Sequence, residues 1–272
     1  MTDGTLPPPD VYATCPDDGN VLEYYAGTFE AVYVSLSPFI RPIGLPASLF
    51  KPATYPSRSE IKSSCQAVKW HEVVTRSNLP SLSAVDIGLQ TQISGLRSQY
   101  ANQAFAVELN RLTESDGIVR PDEGCHSDLL HDQVLKLFQE LGYDWVWIGD
   151  EFCTQRKLHW IDYLIDEDVE TFNGHCNVFT PDKSLLWTVH WCSHFSFLAS
   201  STDILTRIGV DSRLEGVYCT PDTEVDWSIK KARPTDVPES SSVSWAMVGQ
   251  LLGPGDPGDC VSIIKYGKSK NY

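Results

Sequence analysis

The chain has 272 residues, 42% of them apolar and 11% aromatic, with a formal charge of −15. Such a length and apolar content provide for a large buried core and exclude disorder for most of the chain. The acidity excludes nucleic acid as a partner, because phosphate backbones are held by Lys and Arg, and leaves a small-molecule substrate or a basic protein surface.

The opening MTDGTLPPPDVYATCPDDG has neither a charged nor an apolar leader segment, and no later run reaches bilayer length. A cytoplasmic protein without membrane contact is expected. Eight cysteines, at 15, 65, 125, 153, 176, 192, 219 and 260, contain no C-x-x-C and lie mostly in apolar runs, which reads as reduced, buried thiols.

Residues 1–20 are rich in Pro, Asp and Gly and read as an irregular arm before a single α+β domain over 21–229. TFEAVYVSL (28–36) alternates as a strand and stops at Ser37-Pro38. The proline-rich 38–56 reads as a loop. Ser57 and Glu60 form a capping-box pattern ahead of Ile61, Cys65 and Val68, which predicts a helix over 58–75. Within it, His71-Glu72 starts a zincin-like pattern that fails at Thr75. From 83 to 112, Leu89, Ile93, Leu96 and Tyr100 recur at helical spacing, with Phe105, Leu109 and Leu112 on a second helix. Gly88 and Gly95 either weaken this segment or let another element approach closely.

PFIRPIG (38–44), YPSRSEI (55–61), the tract from Ala67 to Trp70 and SAVDIGLQTQISGLRSQY (83–100) resemble a bacterial family catalogued as domain of unknown function 2711. The pair His190-Trp191 fits a later strand of that family. The resemblance implies a shared fold and carries no activity with it.

Cys125, His126 and His131 suggest ligands, but residues 126 and 131 stand about 140° apart around a helix and do not face one ion. Leu130, Val134, Leu137, Phe138 and Leu141 instead make this an amphipathic helix capped at Gly142. YDWVWI (143–148) and KLHWIDYLI (157–165) read as two tryptophan-rich strands. GDEF (149–152) lacks the context of a cyclic-dinucleotide synthase. Asp150, Glu151, His159 and Asp162 remain available as polar groups near the centre of the sheet, although a solvated strand end accounts for Asp150 and Glu151 as well.

The chemistry concentrates in HCNVFTPDKSLLWTVHWCSHFSFL (175–198). Turn residues at 181–184 join two strands and set His175 opposite His190, so that His175, Asn177, Thr188, His190 and Cys192 share one face. Read as one strand, 186–198 sends Trp187, Val189, Trp191, Phe195 and Phe197 to the other face. His190 and His194 then stand roughly 13 Å apart, so H-x-C-x-H does not close on one metal, and the compact set is His175, His190 and Cys192. Two roles are open for it. The set can hold a divalent metal such as zinc, or His190 can serve as base and Cys192 as nucleophile, with His175 as partner and Asp162 orienting a ring. A solvated or helix-covered sheet face with ordinarily bonded histidines is the alternative.

Ser201-Thr202-Asp203 caps a short helix ended by Gly209, and LEGVYCT (214–220) is a last strand offering Glu215 and Tyr218. The tail, 230–272, turns to Pro, Ser and Gly. Its G-x-G-x-x-G at 253–258 is broken by prolines, and Gly267-Lys268-Ser269 lacks the first P-loop glycine, so no nucleotide cofactor is expected. The fold class is α+β, with an antiparallel sheet of residues 143–220 and an N-terminal strand against a helical middle. Two functions are compatible with this. One is a small-molecule hydrolase or transferase, metal-assisted or not. The other is an acidic, inhibitor- or immunity-type module that covers a basic protein.

Overall fold

A computed structural model describes residues 8–96, 98–166 and 177–225, and the backbone at 229–230 and 233–234. His175 and Cys176, and nearly all of the tail from 230, lie outside the described residues.

In chain order the elements are β1 (Gly19–Asn20), α1 (Val21–Tyr24), β2 (Ala31–Leu36), β3 (Phe39–Pro42), α2 (Arg58–Ser64), β4 (Cys65–Val68), α3 (Trp70–Arg76), α4 (Leu82–Gln92) and α5 (Gln103–Asp116). Next come α6 (Asp128–Glu140), β5 (Trp145–Gly149), β6 (Arg156–Trp160), α7 (Ile161–Asp166), β7 (Asn177–Phe179), β8 (Leu185–Val189) and β9 (Phe195–Ser200). The described part closes with α8 (Thr202–Arg207), α9 (Val210–Arg213), β10 (Gly216–Tyr218), β11 (Glu224–Val225), β12 (Ile229–Lys230) and β13 (Arg233–Pro234).

One antiparallel sheet runs β13-β10-β2-β9-β8-β7-β5-β6, and the fold class is α+β. Both faces of its centre are covered, which is why every residue of β8 and β9 is buried. Leu186, Phe195, Phe197 and Ala199 face one core with Trp70, Val85, Leu89 and Leu109. Val178, Leu185, Trp187 and Leu198 face a second core with Val134, Phe138 and Leu164. Gly88 of α4 lies against Phe105 and Leu109 of α5. A Cβ there would stand 2.6 Å from Leu109 Cδ1, so the glycine permits the helix crossing.

Three sequence expectations are corrected. The run 186–198 is two strands, not one. The chain reverses at 190–194, where Ser193 N–H donates to His190 O at 2.9 Å, and β9 returns with Trp187 opposite Leu198 and Val189 opposite Ser196. The reversal flips the alternation, so Phe195 and Phe197 face away from Trp187 and Val189. The predicted helix 58–75 is α2, β4 and α3. Its capping box at Ser57 and Glu60 is present, but Cys65–Val68 pairs with Phe39–Pro42, which also turns part of the expected 38–56 loop into a strand. Pro42 sits at the end of that ladder, where a missing N–H is tolerated. Finally, 157–165 is strand only to Trp160, after which Ile161 and Leu164, three residues apart and fully buried, form the inner side of α7.

Candidate functional site

Where the chain leaves β8, three segments distant in sequence enclose a cavity of about 490 Å³. Cys15, Asp17 and Tyr24 form one wall, Glu151 and Phe152 a second, and Val189, His190 and Trp191 the third.

Cys15 and Asp17 of the first wall belong to the predicted irregular arm, which hydrogen bonds pin to the domain, and Tyr24 belongs to α1. Thr14 Oγ1 donates to Asp10 O at 3.0 Å, Tyr24 Oη donates to Thr14 Oγ1 at 2.7 Å, and Tyr25 Oη donates to Thr14 O at 2.9 Å. Because the Thr14 proton goes to Asp10, the Tyr24 proton goes to Thr14, and the Tyr24 oxygen keeps its lone pairs as acceptors.

The second wall is held by residues from the expected polar face. Val178 opposes Trp187 and Phe179 opposes Leu186, the register expected from the turn at 181–184, and Thr188 Oγ1 donates to Asn177 Oδ1 at 2.5 Å. Asn177 Nδ2 in turn donates to Asp150 O at 2.7 Å and Glu151 O at 3.1 Å. Asn177 and Thr188 therefore position Glu151 and do not themselves face a ligand. Asp150 accepts from Thr154 N, Thr154 Oγ1 and Gln155 N and closes its own turn, which makes it a structural carboxylate.

His190 is the centre of the third wall. The Cys192 N–H donates to His190 Nδ1 at 3.3 Å, which places the ring proton on Nε2, and Nε2 donates to Asp17 Oδ1 at 3.1 Å. The imidazole is buried, while the Asp17 side chain is 87% exposed at the cavity mouth. Trp191 is 48% exposed at the rim.

The other expected site residues are placed differently. Cys192 does not line the cavity. It is buried, its carbonyl accepts from Gln90 Nε2 at 2.6 Å, and burial together with Glu123, Asp17 and Glu151 pushes its thiol up to about 12. Burial likewise drives the Cys15 thiol far above its ordinary range. Neither sulfur is a thiolate near neutral pH, so neither has the activation that a cysteine nucleophile needs. Asp162 lies on α7, accepts from Gln139 Nε2 at 2.7 Å, and is not brought to the cavity. His194 is also outside it, buried in the 190–194 turn, where burial and then Arg120 lower its ring to about 4. Glu215 accepts the Trp70 and His71 amides and the His71 ring at the start of α3. Tyr218 packs edge-on against Tyr33. Among the described residues no three His, Cys, Asp or Glu side chains are grouped to hold a metal ion.

Sequence reasoning missed Asp17, Cys15 and Tyr24. Their segment has no alternation to read, and the Asp17–His190 contact joins positions 173 residues apart.

Among the described residues no helix is long and apolar enough to cross a membrane. No curated protein and no solved structure matches the chain. The family described as "Protein of unknown function (DUF2711)" matches residues 17–229, and the chain belongs to that family.

Proposed function

We propose that the chain is an enzyme acting on a small molecule, with its site at the His190 cavity and its chemistry carried by proton transfer between the substrate, His190 and Asp17. The observation that supports this most is the Nε2–H to Asp17 bond in the wall of a cavity of about 490 Å³, the size range of metabolite sites. The backbone N–H of Cys192 sets the ring orientation and tautomer, so that Nε2–H holds the Asp17 carboxylate in place and Asp17 is the group that accepts a proton from the substrate. Hydrolysis and group transfer both fit. A covalent thiolate step at Cys15 or Cys192 does not, because both thiols stay protonated near neutral pH.

Purified protein would be assayed against panels of hydrolase and group-transfer substrates, alongside His190→Asn, Asp17→Asn and Cys192→Ser. Turnover in the wild type that falls about 100-fold or more in His190→Asn and survives in Cys192→Ser is the expected result. A reaction abolished by Cys192→Ser but kept by His190→Asn would refute the assignment.

The reading as an acidic binding module keeps one observation in its favour. Trp191 stands 48% exposed beside Asp17, an arrangement suited to a basic side chain of a partner protein. A basic protein that copurifies at low salt and is released at high salt, with no turnover detected, would favour it.

A further inference from the structure

We infer that the ligand of the His190 cavity is a small organic cation, a protonated amine joined to an apolar body; this rests on the cavity being the functional site.

The hydrogen-bonding inventory points there first. Asp17 and Glu151 are carboxylates and only accept. Tyr24 has spent its proton on Thr14, and His190 has spent its Nε2 proton on Asp17. Of the wall's side-chain donors the Trp191 indole N–H, at the exposed rim, is not committed, but the two carboxylates and the Tyr24 oxygen remain as acceptors, and a ligand satisfies these by bringing N–H groups.

Charge gives the same answer by a separate route. Among the described residues no Lys or Arg lines the cavity to neutralise the two carboxylates. Two basic residues held at the amino-terminal segment are engaged elsewhere, Arg156 by Asp10 and Tyr12, and Lys183 over the Tyr12 ring at 4.0 Å from its centroid. An anionic ligand would meet uncompensated negative charge in a partly enclosed space, whereas a cation would supply the missing counter-charge. The charge of −15 on the whole chain draws cations toward the mouth.

The third line is the nature of the walls. Tyr24, Phe152 and Trp191 line the same space as the carboxylates. Rings beside carboxylates bind ammonium groups through the ring quadrupole and the formal charges together, and the remaining ring surface accepts an apolar body.

Three probes with one apolar body and different heads test this by calorimetric titration: 4-phenylbutylammonium, 4-phenylbutan-1-ol and 4-phenylbutanoate. The ammonium should bind at one site at least about tenfold more tightly than the alcohol, with no detectable binding of the carboxylate. Its affinity should fall as salt is raised. Asp17→Asn and Glu151→Gln should each weaken the ammonium at least about fivefold and leave the alcohol unchanged. Asp17 is exposed, so its substitution removes charge without disturbing the core. The inference is overturned if the alcohol or the carboxylate binds as well as the ammonium, if neither carboxylate substitution matters, or if none of the three binds. The two readings fail separately. Carboxylate binding that is lost in Trp191→Ala would keep the cavity as the site and refute the cation. Ammonium binding that persists while His190→Asn leaves turnover intact would refute the catalytic role of His190 and uphold the ligand class.

Discussion

Lowering the pH should destabilise the fold through His194 before the carboxylates contribute. The ring is 3% exposed, its Nδ1 has no hydrogen-bond partner among the described residues, and its folded-state value lies at about 4. In the unfolded chain a histidine titrates near 6.5. Between these two values the unfolded state holds a proton that the folded state refuses, so stability rises with pH there and is lost as pH falls. At about 1.4 kcal/mol per pH unit the full gap is worth about 3 kcal/mol, of which about 2 kcal/mol is gone by pH 5. Urea unfolding of the wild type and of His194→Gln, measured in steps from pH 7.5 to 5, isolates this contribution. Groups common to both proteins cancel in the comparison, including His131, whose ring burial also lowers. The wild type should lose about 2 kcal/mol more than the variant over that range. Parallel curves would show that His194 is protonated in the folded state and that its enclosure is not as described.

Gly216→Ala should be among the most damaging single-methyl additions, since its Cβ would fall 1.9 Å from Val34 O and 2.7 Å from the Tyr33 ring. A loss of about 3 kcal/mol, or about 8 °C in thermal midpoint, is expected, and an unchanged midpoint would contradict the β2–β10 geometry. Asn177→Asp replaces the amide that donates to Asp150 O and Glu151 O with a group that has no proton to give. It should cost about 2 kcal/mol in chemical unfolding, and a neutral effect would mean those carbonyls are satisfied by other groups. Iodoacetamide at pH 7.5 should leave Cys192 unmodified in the native protein and label it after urea treatment, as mass spectrometry of its peptide would report. Rapid native labelling at Cys192 would restore the thiolate mechanism.

The α+β class and the β7–β8 register were legible because their signals are local. Pro181-Asp182-Lys183-Ser184 marks the turn, Lys183 adopts φ 65° within it, and Val178 then falls opposite Trp187. The next reversal was not legible. His190 to His194 contains no Gly, Pro, Asn or Asp, and the alternation of the flanking strands continues through it by coincidence of residue type. Helical propensity at 58–75 gave way to a tertiary preference, since Cys65–Val68 gains a ladder with Phe39–Pro42. At the site, His190 was recognisable as a reactive side chain, but its partner was not. A contact between Asp17 and His190 is created by the path of the whole chain, and no window of sequence contains it.

The amino-terminal wall bears on where this protein can be cut. The family match begins at residue 17, yet Pro9, Thr14 and Cys15 contribute to the cavity from upstream of that boundary. A shortened chain trimmed to the match would lose β13 but keep the other strands of the main sheet, and would still present His190 to a half-open trough. Fragments chosen by homology alone would be poor witnesses to what the intact chain binds.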